Sequence, residues 1–428
     1  MSYFVLLTLL LQAIPGSWSA PTSAQLLSRQ TTEPAEYTAN GNIGPGGDVF
    51  LDSPHFRVYG NSGTEAQNAL GKLEAAFECF VRGLNFRSSG LSFNSDNDAG
   101  PWTKTNIYSV AQLPGAAGVM HSDATTGMGY VEVQQDYLTT ADVTVHEWGH
   151  ALHYHQRTWV DQTRTGAWWE MFANWVADTY QTSDNCAAAR EQHGQPTEDT
   201  LIDLPKVVGD SFQVIVDGTA GTGNYYQSWP FLTYLTNNPD DFPNLGENSL
   251  RQMMVQYAAD SNETPLHTLQ RVAGSTPVAE IVGRYWARMA FVDIGHPSAG
   301  QVFAAVRGQI NYENVQASSA GSYAVLAARA PQYMGANVIP LATSGGTVSV
   351  QITADAAYTA TLAVSSASGV SYTIVKGSGT VEVAAGDEVS LVVANTPAEL
   401  VLYDAFSLSG EVTKGLDYSF TLSGATVA

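Results

Sequence analysis

Positive charge is scarce in this sequence: 18 lysines and arginines stand against 40 aspartates and glutamates, a formal charge of -22 over 428 residues. A surface of that sign repels phosphate backbones and anionic lipid headgroups, which excludes nucleic-acid and membrane-surface partners. Long apolar runs are missing too. After the N-terminal segment no stretch approaches the roughly 18 uninterrupted apolar residues that a membrane-crossing helix needs. Cysteine is nearly absent, with Cys79 and Cys186 alone. A chain of this length exceeds one ordinary core and points to two or three domains.

What is present begins with the run Phe4-Val5-Leu6-Leu7-Thr8-Leu9-Leu10-Leu11, followed by Pro15, Gly16, Ser17 and Ser19. That run is too short to span a bilayer, and the small residues after it form a cleavage pattern, although no Lys or Arg precedes it. Residues 1–19 are therefore expected to be a signal peptide and the protein to be secreted, extracellular and monomeric. In an oxidising compartment a Cys79–Cys186 disulfide is expected, two buried thiols being the alternative. Residues 20–46 are polar and glycine-rich, which reads as a loose leader or a pro-segment, with no dibasic site to mark its removal.

The chemistry concentrates in Val145-His146-Glu147-Trp148-Gly149-His150. His146 and His150 are four positions apart, so on a helix both imidazoles leave from one face and can share a metal ion, with Glu147 beside them. Val143, Ala151, Leu152 and Tyr154 supply the apolar surface of such a helix, and Thr139 and Thr140 offer N-caps. This is the H-E-x-x-H pattern of zinc peptidases. His153 and His155 are read as surface or supporting histidines, because His153 lies about 10 Å along the axis from His146. The metzincin pattern would require Gly at position 153 and His at 156, where this chain has His153 and Gln156.

A third ligand is expected on a second helix, Gly166 to Asp178, where Glu170, Asn174 and Asp178 make one polar stripe in an aromatic surface. With Glu170 twenty residues after His150, the sequence resembles the gluzincins, the thermolysin-like clan of zinc metallopeptidases, whose third ligand is a Glu on the next helix. The run Trp168-Trp169-Glu170-Met171-Phe172-Ala173-Asn174-Trp175 also resembles a group of secreted fungal and bacterial proteins known mainly as uncharacterised domains. The resemblance implies a Zn²⁺ held by His146, His150 and Glu170, with Glu147 as general base. It departs from thermolysin at Asn174, where that protein has Asp, leaving Asn174 or Asp178 to orient a ligand histidine. It also implies that Tyr130 to Val133, the last strand before the metal helix, borders the substrate cleft. A downstream tyrosine would donate to the oxyanion, with Tyr226 preferred over Tyr225, and His267 and His296 behind them. Trp148, Trp168, Trp169 and Trp175 are expected in the core.

A strand at Phe56 to Val58, a helix from Thr64 to Leu84, a strand at Lys104 to Val110 and mixed structure to 335 complete a zincin-like catalytic domain over 47–335. From 336 to 428, about seven short alternating runs, from Thr347 to Thr353 through Glu399 to Tyr403 and Tyr418 to Leu422, predict a β-sandwich accessory domain. The expected fold class is α+β. The expected function is a secreted zinc endopeptidase acting on protein or peptide substrates. The rival is a non-catalytic, adhesin-like binding protein with a structural or vestigial zinc site.

Overall fold

The computed structural model describes residues 33–428, so the expected signal peptide lies outside the described residues. The chain is mixed α and β and divides into two compact units. The first comprises residues 33–201 and Leu250–Asn262, the second Ile202–Ser249 and Glu263–Ala428. The division does not fall at 335/336, because the helical segment after 201 clusters largely with the sandwich.

The first unit is built on a five-stranded sheet of β1 (Phe50–Asp52), β2 (Phe56–Tyr59), β3 (Thr105–Val110), β4 (Gly118–Asp123) and β5 (Met128–Gln134), ordered β1-β2-β3-β5-β4. β2, β3 and β5 are parallel, while β1 and β4 run antiparallel to their neighbours at the two edges. Tyr130–Val133, expected to border a cleft, is part of the interior strand β5; the sheet ends at β4, which had no strand expectation.

Alternation gives the sheet two different faces. Phe56, Val58, Ile107, Val131 and Val133 are fully buried on one of them. Helix α1 (Thr64–Phe77) joins β2 to β3, extended by a π-helical turn at Glu78–Gly83, so the expected helix from Thr64 to Leu84 is present with a change of pitch. Helix α2 (Ala141–His155) lies on the apolar face, where Trp148 meets Phe56 with ring centres 5.9 Å apart. Helix α3 (Gln162–Thr182) follows after a short turn, with Asp161 capping it by accepting from the Thr163 amide. Trp148, Trp168, Trp169 and Trp175 are all buried, as expected, and burying each large ring contributes on the order of 2–3 kcal/mol.

The disulfide between Cys79 and Cys186 is formed, fastening the π-helical turn to the turn that follows α3. The described part of residues 20–46 is not a loose leader. Tyr37 and Ile43 are buried, and the side chains of Asn106 and Tyr108 donate to the Ile43 carbonyl.

The second unit carries helices Pro230–Asn237, Pro265–Ala273, Val278–Met289 and Ala299–Val306, then two five-stranded antiparallel sheets. Its long strands alternate inward and outward, and Ile339, Val348, Val350, Leu362, Leu391 and Val393 interdigitate as the sandwich core. Six of the seven expected runs are strands. Glu399 to Tyr403 is irregular, and the sandwich begins earlier than expected, at Val315.

Candidate metal centre

Helical spacing brings His146 and His150 to the same side of α2, facing α3, and Glu170 returns from α3 to meet them. The two Nε2 atoms are 3.2 Å apart, and each is 3.3 Å from Glu170 Oε2. All three residues are buried, and among the described residues they are the one group of three or more His, Cys, Asp or Glu able to hold a metal ion.

Glycine permits this approach. A Cβ on Gly149 would stand 3.1 Å from Ala173 Cα and 3.2 Å from Val176 Cβ, so the helices cross in near backbone contact. Asn174, one turn after Glu170, places Oδ1 2.7 Å from His146 Nδ1. An amide oxygen only accepts, so Nδ1 carries the proton and Nε2 turns its lone pair toward the centre. Burial would raise the Glu170 carboxyl, but the two facing imidazoles hold it well below the usual carboxylate range.

Glu147 is the next residue along α2 and therefore points about 100° away from His146, toward β4 rather than α3. A Cβ on Gly118 of β4 would fall 2.5 Å from Glu147 Cγ and 2.9 Å from Oε1. The Met120 backbone amide faces the same carboxylate, while Oε2 is buried with no hydrogen-bond partner. Burial pushes this carboxyl up, to about 7; His146 opposes the rise, Glu170 adds to it, and the Met120 amide opposes it.

The sequence pattern of one family covers residues 54–381, taking in the His146, His150 and Glu170 cluster and much of the sandwich. The chain belongs to DUF6055, a family of unknown function. No curated protein matches it.

Neither His153 nor His155 of this DUF6055 chain lies at the surface or joins the cluster. His155 is buried, its Nδ1 donating to the Leu91 carbonyl at 2.6 Å and its Nε2 accepting from the Gly129 amide at 3.1 Å. His153 packs among Trp159, Trp169 and Phe172. Burial drives both pKa values down to about 3, so both rings are neutral and structural. Their apolar setting comes from α3 and from the loop at Leu91, which local spacing does not reveal.

Asp178 accepts from the Thr200 hydroxyl at 2.6 Å and the Leu201 amide at 2.9 Å, fixing the chain beyond α4 (Ala187–Gln192). Of the stripe, it is Asn174 that meets His146. Tyr226 belongs to the second unit, its ring 4.5 Å from Tyr225, which in turn meets Phe406. His267 completes the N-terminal capping box of Pro265–Ala273, and His296 accepts from the Ser298 and Ala299 amides. Gly118 and Met120 were not foreseen as parts of the site. The one signal for them is the glycine opening a run that alternates toward α2.

Proposed function

We propose that this protein is an extracellular zinc endopeptidase of gluzincin type, with the first unit as its zincin-like catalytic domain. The observation that carries the reading is the donor triangle. Ligand bonds of about 2.0 Å at tetrahedral angles separate neighbouring donors by about 3.3 Å, which matches the three edges of 3.2, 3.3 and 3.3 Å. Three donors of imidazole and carboxylate type leave a fourth position for solvent or substrate, the hallmark of a catalytic rather than a structural zinc site. Zinc bound there supplies Lewis acidity, polarising a carbonyl and acidifying a water.

The residues around it divide the remaining work. His146, His150 and Glu170 hold the ion, and Asn174 fixes the His146 tautomer. Glu147 Oε2, unpartnered within the protein, takes a proton from the attacking water and delivers it to the leaving amine.

Substrate alignment follows from β4. The Gln134 amide donates to the Ala117 carbonyl, and in the same register Val119 stands opposite Glu132 and His121 opposite Tyr130, so odd-numbered residues of this segment turn their backbone inward to β5. Gly118, Met120 and Ser122 consequently turn theirs outward, where, apart from the Met120 amide that faces Glu147, they can pair with an extended peptide added as a further strand.

A purely structural zinc site has no use for a buried carboxylate with a spare oxygen beside an open position, which is why the adhesin-like reading is set second. Metal analysis of the purified protein and hydrolysis of casein with and without chelator form the test, with Glu147→Gln alongside. One zinc per chain is expected in both proteins, with turnover about 10²- to 10⁴-fold lower in the variant. Metal-free protein, or full activity in Glu147→Gln, refutes the reading.

A further inference from the structure

The face of the sheet turned away from α2 carries a row of aromatic rings that crosses all five strands. Phe50 on β1 meets Tyr59 on β2 at 5.8 Å, and Tyr59 stacks on Tyr108 of β3 at 4.8 Å. Tyr108 meets Tyr130 of β5 edge-on at 5.7 Å, and Tyr130 stacks on His121 of β4 at 4.9 Å. The middle of the row is covered by residues 40–46: the Tyr108 hydroxyl donates to the Ile43 carbonyl, and Gly44 lies so close that a Cβ would meet both Tyr108 and Tyr130. The last rung is different. His121 sits on the edge strand with its side chain 37% exposed, and Glu132 Oε2, 2.8 Å from Nε2, holds the ring parallel to Tyr130.

We propose that His121 forms the floor of a specificity subsite for an aromatic substrate side chain, so that the bound peptide supplies the sixth rung. This rests on the endopeptidase reading above and on strand addition to β4. Because His121 turns its backbone inward, a residue placed opposite it in an added antiparallel strand forms the narrow, non-hydrogen-bonded kind of pair, in which side chains approach most closely. Such a residue projects from the same face as Tyr130 and His121 and continues the stacking across strands. An acidic side chain there would instead meet Glu132. The subsite is separate from the metal centre, since Gly118 and Met120 face α2 and His121 faces the other way.

The test is a peptide library varied at each position around the cleaved bond, read as kcat/KM for wild type, His121→Ala and His121→Phe. One position should favour Phe, Tyr or Trp over Ala by about 3- to 10-fold. His121→Ala should bring the ratio of kcat/KM for the aromatic and alanine-containing peptides to about one, and His121→Phe should keep the wild-type ratio. Cleavage with no aromatic preference, or a preference that survives in His121→Ala, overturns the subsite while leaving the peptidase reading intact. Absence of any cleavage removes the peptidase reading and the subsite with it.

Discussion

Replacing Gly149 by alanine sets two known effects against each other at one position. Alanine in a helix interior is favoured over glycine by about 1 kcal/mol. The added Cβ, however, would lie 3.1 Å from Ala173 Cα and 3.2 Å from Val176 Cβ, where ordinary carbon contacts are about 3.5–4.0 Å. Relief requires α2 and α3 to part by roughly half an ångström, an overpacking that typically costs about 1–3 kcal/mol. The net effect on the metal-free fold is thus between neutral and about 2 kcal/mol destabilising. Metal affinity responds more sharply. Two of the proposed zinc ligands ride on α2 and one on α3, and metal bonds tolerate only about 0.2 Å, so Gly149→Ala should weaken zinc binding by at least about tenfold. Urea unfolding in chelator gives the first quantity and competition with a chromophoric chelator the second. A variant stabilised by about 1 kcal/mol with undiminished zinc affinity would show that helix contact does not set the ligand triangle.

Two other perturbations probe separate parts of the first unit. Asn174→Leu removes the acceptor from His146 Nδ1 and should lower metal affinity about 10- to 100-fold, with Asn174→Asp restoring it; equal affinity in all three proteins would deny the contact a role. His155 provides one part of the pH dependence, His153 contributing a second of the same sign. The His155 folded pKa of about 3 lies below the usual 6.5, so between those values the unfolded chain binds a proton that the folded chain does not. Stability should therefore be unaffected by this group above pH 6.5 and fall as pH drops below it, by up to about 1.4 kcal/mol per pH unit. His155→Gln, which keeps a donor for Leu91 and an acceptor for Gly129 but cannot titrate, should reduce that slope, leaving the share of His153, in urea midpoints measured in chelator from pH 7.5 to 4.5. Identical slopes would place the His155 titration elsewhere.

The cluster of His146, His150 and Glu170 was legible because its parts announce themselves locally. Two histidines at helical spacing, and a carboxylate beginning a polar stripe in an aromatic helix, need only the 3.6-residue period to be placed. The short sandwich runs were legible through the other period, with residues such as Val348, Val350 and Ile352 alternating inward. What escaped depends on partners distant in sequence. β4 is half-buried and begins with a glycine whose meaning is the Glu147 side chain nearly thirty residues later. His155 looks like a surface residue until the Leu91 loop closes over it, and Tyr37 lies in a segment whose composition reads as linker. The sandwich boundary was misplaced because β6 (Val315–Ser319) and β7 (Ser322–Val325) are short, largely exposed elements at a sheet edge, which join the strand Tyr418–Ser423 only in three dimensions.

Adjacent residues on a helix cannot face the same neighbour, and this explains why the centre needs an edge strand. His146 and His150 turn to α3, where Gly149 allows close passage. Glu147, about 100° around the axis, must find its support elsewhere. Gly118 leaves room for its Cγ, and the Met120 amide faces its carboxylate, so Oε2 is the oxygen left without a partner. The same strand that holds the carboxylate turns the remaining Gly118, Met120 and Ser122 backbone groups outward. A peptide lying along them, as proposed, would be registered against the element that positions the proposed base, and an alanine at Gly118 would disturb the two together while leaving the three candidate ligand residues in place.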